Sequence, residues 1–196
     1  MVPAERKIYT KQGDAGSTRL LSGETVAKDD LRVKTYGCLD ELQAHLGMAR
    51  AVTRHEPICS VIHTVQQDLF AAAAELASTA QQLPNLKRRI GRADIERLER
   101  QIDEWTGRCG LPTQFVVPGR AVDSSAVHVA RTVCRRCERL IIQLNRQLQD
   151  YPLLISYFNR LSDLLFVLAW ALEVRAVVKA VVGELLCGNS EAGETR

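Results

Sequence analysis

His128-Val129-Ala130-Arg131-Thr132-Val133-Cys134-Arg135-Arg136-Cys137-Glu138-Arg139 is a dense basic run with no glycine or proline in it, and its spacing is that of a long helix. Residues three and four apart share a helix face, so His128, Arg131, Arg135 and Glu138 form one polar stripe. Val127, Ala130, Val133, Cys134, Cys137 and Ile141 repeat with the same period on a different face, the pattern of a side turned to a core. Guanidinium groups are planar and permanently charged, which suits them to phosphate or carboxylate oxygens. A solvated face laced with ion pairs would use the same residues.

Four more helices are predicted around this one. Leu39, Leu42, Leu46 and Ala49 mark a helix over 32–51, and Asp40 and Glu41 lie beside its apolar face. Ile58, Ile62, Val65, Leu69, Ala72 and Leu76 mark a second over 58–78, with Pro57 suited to its first turn. Residues 81–91 are polar and basic and read as an exposed connection. A third helix over 92–105 uses Ile95, Leu98, Ile102 and Trp105. Gly110, Pro112, Pro118 and Gly119 then break the pattern, and Phe115-Val116-Val117-Pro118-Gly119, taken alone, reads as a buried connector. Ser124 or Ser125 is expected to cap the arginine helix, which continues to Leu148. Asp150-Tyr151-Pro152 marks a turn into a fifth helix over 154–186, where Asn159, Asp163 and Phe166 share a face and Leu161, Leu164, Leu165 and Leu168 supply core. The fold class is all-α, a five-helix up-down bundle.

Before the helices, Tyr9-Thr10-Lys11-Gln12-Gly13-Asp14-Ala15-Gly16-Ser17-Thr18-Arg19 has no helical period and reads as a loop or short extended segment. Its two glycines, beside Lys11, Ser17 and Thr18, would let backbone N–H groups approach a phosphate, although the spacing matches neither common phosphate-loop motif.

A chain of 196 residues most simply makes one domain, read here as an N-terminal loop (1–30), a bundle (31–187) and a disordered polar tail (188–196). A net charge of +3 is too small to indicate nucleic-acid binding, and no apolar run approaches the roughly twenty residues that cross a bilayer. With no apolar signal segment near the start, a cytoplasmic location and reduced thiols are expected for the six cysteines. Cys134 and Cys137 make a C-x-x-C inside one helix with no second pair or histidine cluster nearby, so they read as packing, and no metal site is expected.

Four segments together resemble the trimeric, PduO-type ATP:cob(I)alamin adenosyltransferases: Tyr9 to Thr18, Tyr36-Gly37-Cys38-Leu39-Asp40-Glu41-Leu42, Phe115 to Gly119 running into the arginine helix, and Tyr157-Phe158-Asn159-Arg160-Leu161-Ser162-Asp163-Leu164-Leu165-Phe166. The resemblance spans nearly the whole chain. It implies a ferritin-like five-helix bundle assembled as a homotrimer with intersubunit active sites, transferring the 5′-deoxyadenosyl group of ATP to cob(I)alamin. It further implies that Thr10, Lys11, Gln12, Gly13, Asp14, Gly16, Thr18, Arg19 and Lys28 surround ATP, completed by Arg135, Arg136, Glu138, Arg139 and Asn159. Asp40 and Arg131 match an ion pair between neighbouring subunits beside the corrinoid, and Phe115 the aromatic residue that closes the lower face of cobalt. Magnesium would accompany ATP, and cob(II)alamin would be reduced to the reactive form. A flavin reductase and an adenosylcobalamin-dependent enzyme are the further partners implied, with no nucleic acid and no membrane.

Some positions depart from the family pattern: Arg120 stands where a second glycine is usual, Cys137 where alanine is usual, Trp170 where arginine is common, and Phe158 where an aliphatic residue is usual. Two other functions are compatible with the residues alone: a non-catalytic corrinoid or nucleotide carrier that delivers cofactor to a client, and a helical bundle whose arginines make only surface ion pairs.

Overall fold

The computed structural model describes residues 8–9, 11–148 and 150–191. Two short strands, β1 (Ser17–Arg19) and β2 (Thr25–Ala27), pair antiparallel with Thr18 opposite Val26. Five helices follow: α1 (Leu31–Thr53), α2 (Glu56–Leu76), α3 (Arg92–Cys109), α4 (Val122–Leu148) and α5 (Pro152–Glu191), with a 3-10 turn at Leu83–Asn85. α1 packs against α2 and α4, and α5 packs against α4 and α3.

Local chemistry sets most of the ends. The Asp30 side chain accepts from the Arg32 N–H at 2.7 Å, which satisfies one orphan donor of the first turn of α1. Arg54 stops α1 in the left-handed region at φ 45°. Pro57 sits in the first turn of α2, where no N–H is needed. Gly110, at φ 68°, ends α3 four residues beyond the expected Trp105. α4 starts at Val122, ahead of either expected cap: the Ser125 hydroxyl donates to the Ala121 carbonyl (2.7 Å) and that of Ser124 to Glu173 Oε1 (3.0 Å). α5 runs to Glu191, and residues 192–196 of the expected tail lie outside the described residues.

The periodicities find their core. Leu42, Leu46, Ile62, Leu76, Val127, Ile141, Leu161, Leu164, Leu165 and Leu168 are completely buried, together with Tyr157 and Phe158. Each such side chain contributes about 1.5–3 kcal/mol. α1 and α2 run antiparallel: the Gln43 amide donates to the Gln66 carbonyl (2.9 Å) and that of Gln66 to the Gln43 carbonyl (3.2 Å), while further along α1 the Arg50 carbonyl accepts from the thiol of Cys59, earlier on α2 (3.7 Å).

The connection at 81–91 is largely exposed, as expected, but it is anchored at two points. Leu83 and Ile90 are buried, and the Ile90 N–H donates to Glu75 Oε1 at 2.5 Å while Arg89 reaches Glu75 Oε2 at 3.2 Å. Glu75 lies at the end of α2, and burial raises its carboxyl above the ordinary range. A buried carboxylate on a helix thus ties down a chain that is polar by composition. Beyond it, α2, α3 and α5 meet at Asp68. That side chain accepts from Arg88 (2.7 Å), Arg97 and the Tyr157 hydroxyl (2.7 Å), and Asp94 shares both arginines at 3.0 and 2.8 Å.

Candidate functional site

The polar stripe of α4 changes character along its length. His128 is only 4% exposed, so the first member of the stripe belongs to the interior and not to the polar face expected. Its Nε2 lies 3.9 Å from Glu173 Oε1, its ring meets Phe166 edge-on at 6.2 Å, and neither ring nitrogen has a hydrogen-bond partner among the described residues. Burial, then the Arg131 charge, lowers its pKa below the ordinary 6.5, which keeps the imidazole neutral. One turn on, Arg131 is half-buried with its guanidinium 6.0 Å from the Phe166 ring centroid and its Nε unpartnered. Arg135 and Arg139 are exposed, and among the described residues neither has an ion-pair or side-chain hydrogen-bond partner.

The adjacent side chains are engaged. Arg136 pairs with Glu41 of α1. Glu138 accepts from the Asn159 amide at 3.1 Å, the Asn159 oxygen accepts from Arg160 at 2.7 Å, and Arg160 Nε donates to Glu99 of α3 at 2.9 Å. Asn159 is thereby held against α4 in one orientation, its amide hydrogen on the carboxylate and its oxygen on the guanidinium.

Phe115 is fully exposed and Val117 is 82% exposed, so the connector between α3 and α4 is not buried as its composition alone implies. The loop stands between two cavities of about 600 and 590 Å³. The second is lined by Leu111, Phe115, Val116, Arg131 and Phe166; the first by the loop's other side with Arg120, Trp170, Glu173, Val174 and Val177. Two positions where this chain departs from the family pattern, Arg120 and Trp170, thus line one cavity. Asp40 lies elsewhere, exposed on a groove of about 460 Å³ with Leu21, Tyr36, Gly37 and Phe70. The structure brings Arg131 to Phe115 and Phe166, and places Asp40 on a separate groove of the same chain.

The N-terminal segment folds as a tight hairpin. Lys11 is held at φ 59° and Gly16 at φ 80°, the Lys28 N–H donates to the Gly16 carbonyl at 2.9 Å, and a Cβ on Gly13 would come within 2.9 Å of the Lys28 ammonium nitrogen. A cation therefore lies directly on the Gly13 backbone, with exposed Gln12, Asp14 and Arg19 nearby in sequence and Thr18 half-buried on β1. Thr10 lies outside the described residues. Leu20 and Val26 border a groove with Leu144 and Leu148 of α4. Leu144 is nine residues beyond Arg135, ~14 Å of helix. The point where the hairpin borders α4 is therefore well beyond Arg135 along the helix.

On α5, the face shared by Asn159, Asp163 and Phe166 continues through Trp170 and Glu173 in steps of four, three, four and three. That period was the available signal for Trp170 and Glu173 as lining residues.

Comparison with known proteins completes the description. The family model for cobalamin adenosyltransferase matches residues 8–172. A corrinoid adenosyltransferase of Citrobacter freundii is 44% identical over 163 residues, 83% of this chain and 93% of that protein. Corrinoid adenosyltransferase PduO of Salmonella typhimurium is 38% identical over 178 residues, 91% of this chain and 53% of that longer protein. Among solved structures, a phenylalanine-to-alanine variant of the PduO-type ATP:corrinoid adenosyltransferase from Lactobacillus reuteri, complexed with cobalamin and ATP, superposes with a TM-score of 0.78 at 34% identity. That match covers 85% of this chain and 93% of that one.

Proposed function

This chain belongs to the cobalamin adenosyltransferase family, and from that premise we propose how its own residues serve the reaction. It is an ATP:corrinoid adenosyltransferase: the cobalt of cob(I)alamin forms a bond to the 5′ carbon of ATP, the bond from that carbon to oxygen breaks, and triphosphate leaves with the electron pair. The nucleophile is the substrate itself, so no serine or cysteine nucleophile is required. The protein's work is to hold two reactants in line and to stabilise charge on the leaving triphosphate.

The observation that carries the assignment is the exposed, unpartnered state of Arg135 and Arg139 beside an Asn159 held from both sides. Arg135 and Arg139 are the triphosphate contacts in this reading, with Asn159 and Glu138 orienting the nucleoside and Arg136 adding charge. Lys11, Gln12, Gly13, Asp14, Gly16, Thr18, Arg19 and Lys28 close over the nucleotide together with Thr10. The hairpin sits far along α4 from Arg135, so it reaches the arginines of a neighbouring subunit better than its own, which favours a homotrimer with sites between subunits. Uncovered Phe70, Val178, Val181 and Leu185, from 49% to 69% exposed, are consistent with such assembly. Asp40, on its separate groove, pairs with Arg131 of a neighbour beside the corrinoid. Phe115, exposed on its loop, excludes water and base from the lower face of cobalt, which eases reduction of cob(II)alamin.

Among the described residues no group of three or more His, Cys, Asp or Glu side chains could hold a metal. Magnesium accompanying ATP would offset the charge of its phosphate groups. A flavin reductase as electron donor, an adenosylcobalamin-dependent enzyme as consumer and a cytoplasmic location complete the proposal. Among the described residues no helix is long and apolar enough to cross a membrane.

The test is to incubate the protein with ATP, magnesium and cobalamin under strong reduction and follow the cobalt–carbon product optically with triphosphate release. Turnover is expected. Folded protein that binds adenosylcobalamin without releasing triphosphate would make it a carrier instead.

A further inference from the structure

The C-x-x-C of α4 does not pair with itself. Cys134 turns to α5, its sulfur 3.5 Å from the Phe158 carbonyl oxygen, and burial pushes its thiol well above the ordinary range. Cys137 turns to α1 instead, where its S–H donates to the sulfur of Cys38 at 2.9 Å across 99 residues of sequence. Both are buried, Cys38 at 6% exposure and Cys137 at 0%. Immediately outside them the same two helices are joined by the ion pair of Glu41 with Arg136.

We infer that Cys38 and Cys137 are a reversible thiol–disulfide pair between α1 and α4, a redox-modification site that a hydroperoxide oxidises and a dithiol restores. The two sulfurs need only close from 2.9 Å to about 2.05 Å. The two thiols are also unequal. The hydrogen bond from Cys137 and the guanidinium of Arg136 lower Cys38 to about 6, while Cys137 is pushed up by the same bond and by burial. Cys38, the less buried of the two and the one that faces Arg136, is therefore the attacking sulfur, and Cys137, fully enclosed behind it, the resolving one. The thiolate attacks one oxygen of the peroxide, the O–O bond breaks, and water leaves as the second oxygen takes a proton, giving a sulfenic acid on Cys38. The sulfur of Cys137 then attacks the Cys38 sulfur, the S–O bond breaks, and the second water carries away the Cys137 proton. Two thiols and one hydrogen peroxide thus give one disulfide and two waters. A metal site does not compete here, because among the described residues no group of three ligating side chains is assembled.

Oxidation acts on the site through its neighbours, a consequence that rests on the nucleotide roles proposed above. Cys137 lies between Arg136 and Glu138, and Cys38 two and three residues before Asp40 and Glu41. The disulfide removes the anionic sulfur that faces Arg136 and redraws the spacing of α1 and α4 beneath it.

The test treats the full chain with hydrogen peroxide, blocks remaining thiols with iodoacetamide after unfolding, and maps peptides by mass spectrometry. A Cys38–Cys137 linked peptide, two hydrogens lighter and lost on dithiothreitol treatment, is expected. Both cysteines recovered alkylated while Cys59 or Cys109 oxidises would overturn the pair, whatever the enzyme's activity. Adenosyl transfer should fall at least ~10-fold in the oxidised protein, the size of one lost charged contact, and recover with dithiothreitol. Cys38→Ala should keep its basal rate and resist peroxide, and Cys137→Ala, which keeps the attacking thiolate but lacks the resolving thiol, should keep its basal rate, form no linked peptide and show no peroxide inactivation that dithiothreitol reverses. Equal inactivation of wild type and both variants would contradict any regulatory effect of the bond.

Discussion

Two clusters of charge in this molecule use the same residue types and end in opposite states. Around Asp68 every principal group is answered within the chain: Arg88, Arg97 and Tyr157 converge on one buried carboxylate, and Asp94 takes the second oxygen-facing side of both arginines. Along the outer half of α4 the charges are only partly answered, since Arg136 has Glu41 but Arg135 and Arg139 have no partner among the described residues. A closed cluster holds helices together, because any ligand would have to displace a bond already made. An open cluster on a rigid helix has donors to spare for an anion. The composition of the two regions would not separate them; their saturation does.

The sharpest way to break the contrast is Asp68→Ala. It leaves two guanidinium groups and the Tyr157 hydroxyl without their acceptor, and a loss of about 3–5 kcal/mol of stability is expected by denaturant titration. Stability unchanged within about 0.5 kcal/mol would mean that the network is ornamental. Tyr157→Phe removes one hydrogen bond to the same carboxylate and should cost about 1.5–3 kcal/mol. Arg135→Ala should leave the melting temperature alone and weaken ATP use by about 1.5–3 kcal/mol, roughly 10- to 150-fold. Phe115→Ala is expected to slow adenosyl transfer with ATP affinity nearly intact. It should move stability by less than about 0.5 kcal/mol, because the side chain is fully exposed. Loss of ATP binding in that variant would contradict its corrinoid role.

The smallest effect concerns pH. His128 is neutral in the fold and its pKa lies below 6.5, so on acidification the unfolded chain takes up its proton first. Stability from this group is complete above about 6.5 and declines as pH falls from there toward the folded-state value. His128→Gln should flatten that part of the stability profile, and an unchanged slope would show that the proton is taken up elsewhere.

What the sequence made legible follows from the range of the forces involved. The five helices were readable because burial imposes a period on Leu42, Leu46, Ile62, Leu69, Leu161 and Leu165 within each helix separately. The family resemblance grouped Glu138 with Asn159 around one ligand; the direct hydrogen bond between their side chains depends on how α4 lies on α5 and is legible only in the structure. The anchoring of 81–91 was not readable, since its cause is a carboxylate at Glu75 that meets Ile90 only once α2 and α3 have packed. His128 was misplaced on the polar face because a stripe defined by spacing drifts around the helix and can enter the core at one end. The approach of Cys137 to Cys38 likewise depends on how α1 lies on α4, which the C-x-x-C spacing within one helix does not show.

The central claim is that the open cluster on α4 binds the nucleotide while the closed cluster at Asp68 holds the fold. Calorimetric ATP titration of the wild type, Arg135→Ala and Tyr157→Phe, each with its unfolding curve, tests it most directly. ATP affinity should fall roughly 10- to 150-fold in Arg135→Ala at unchanged stability, and stability should fall in Tyr157→Phe at unchanged affinity. Undiminished ATP binding by Arg135→Ala, in a protein shown to be folded, would contradict the account.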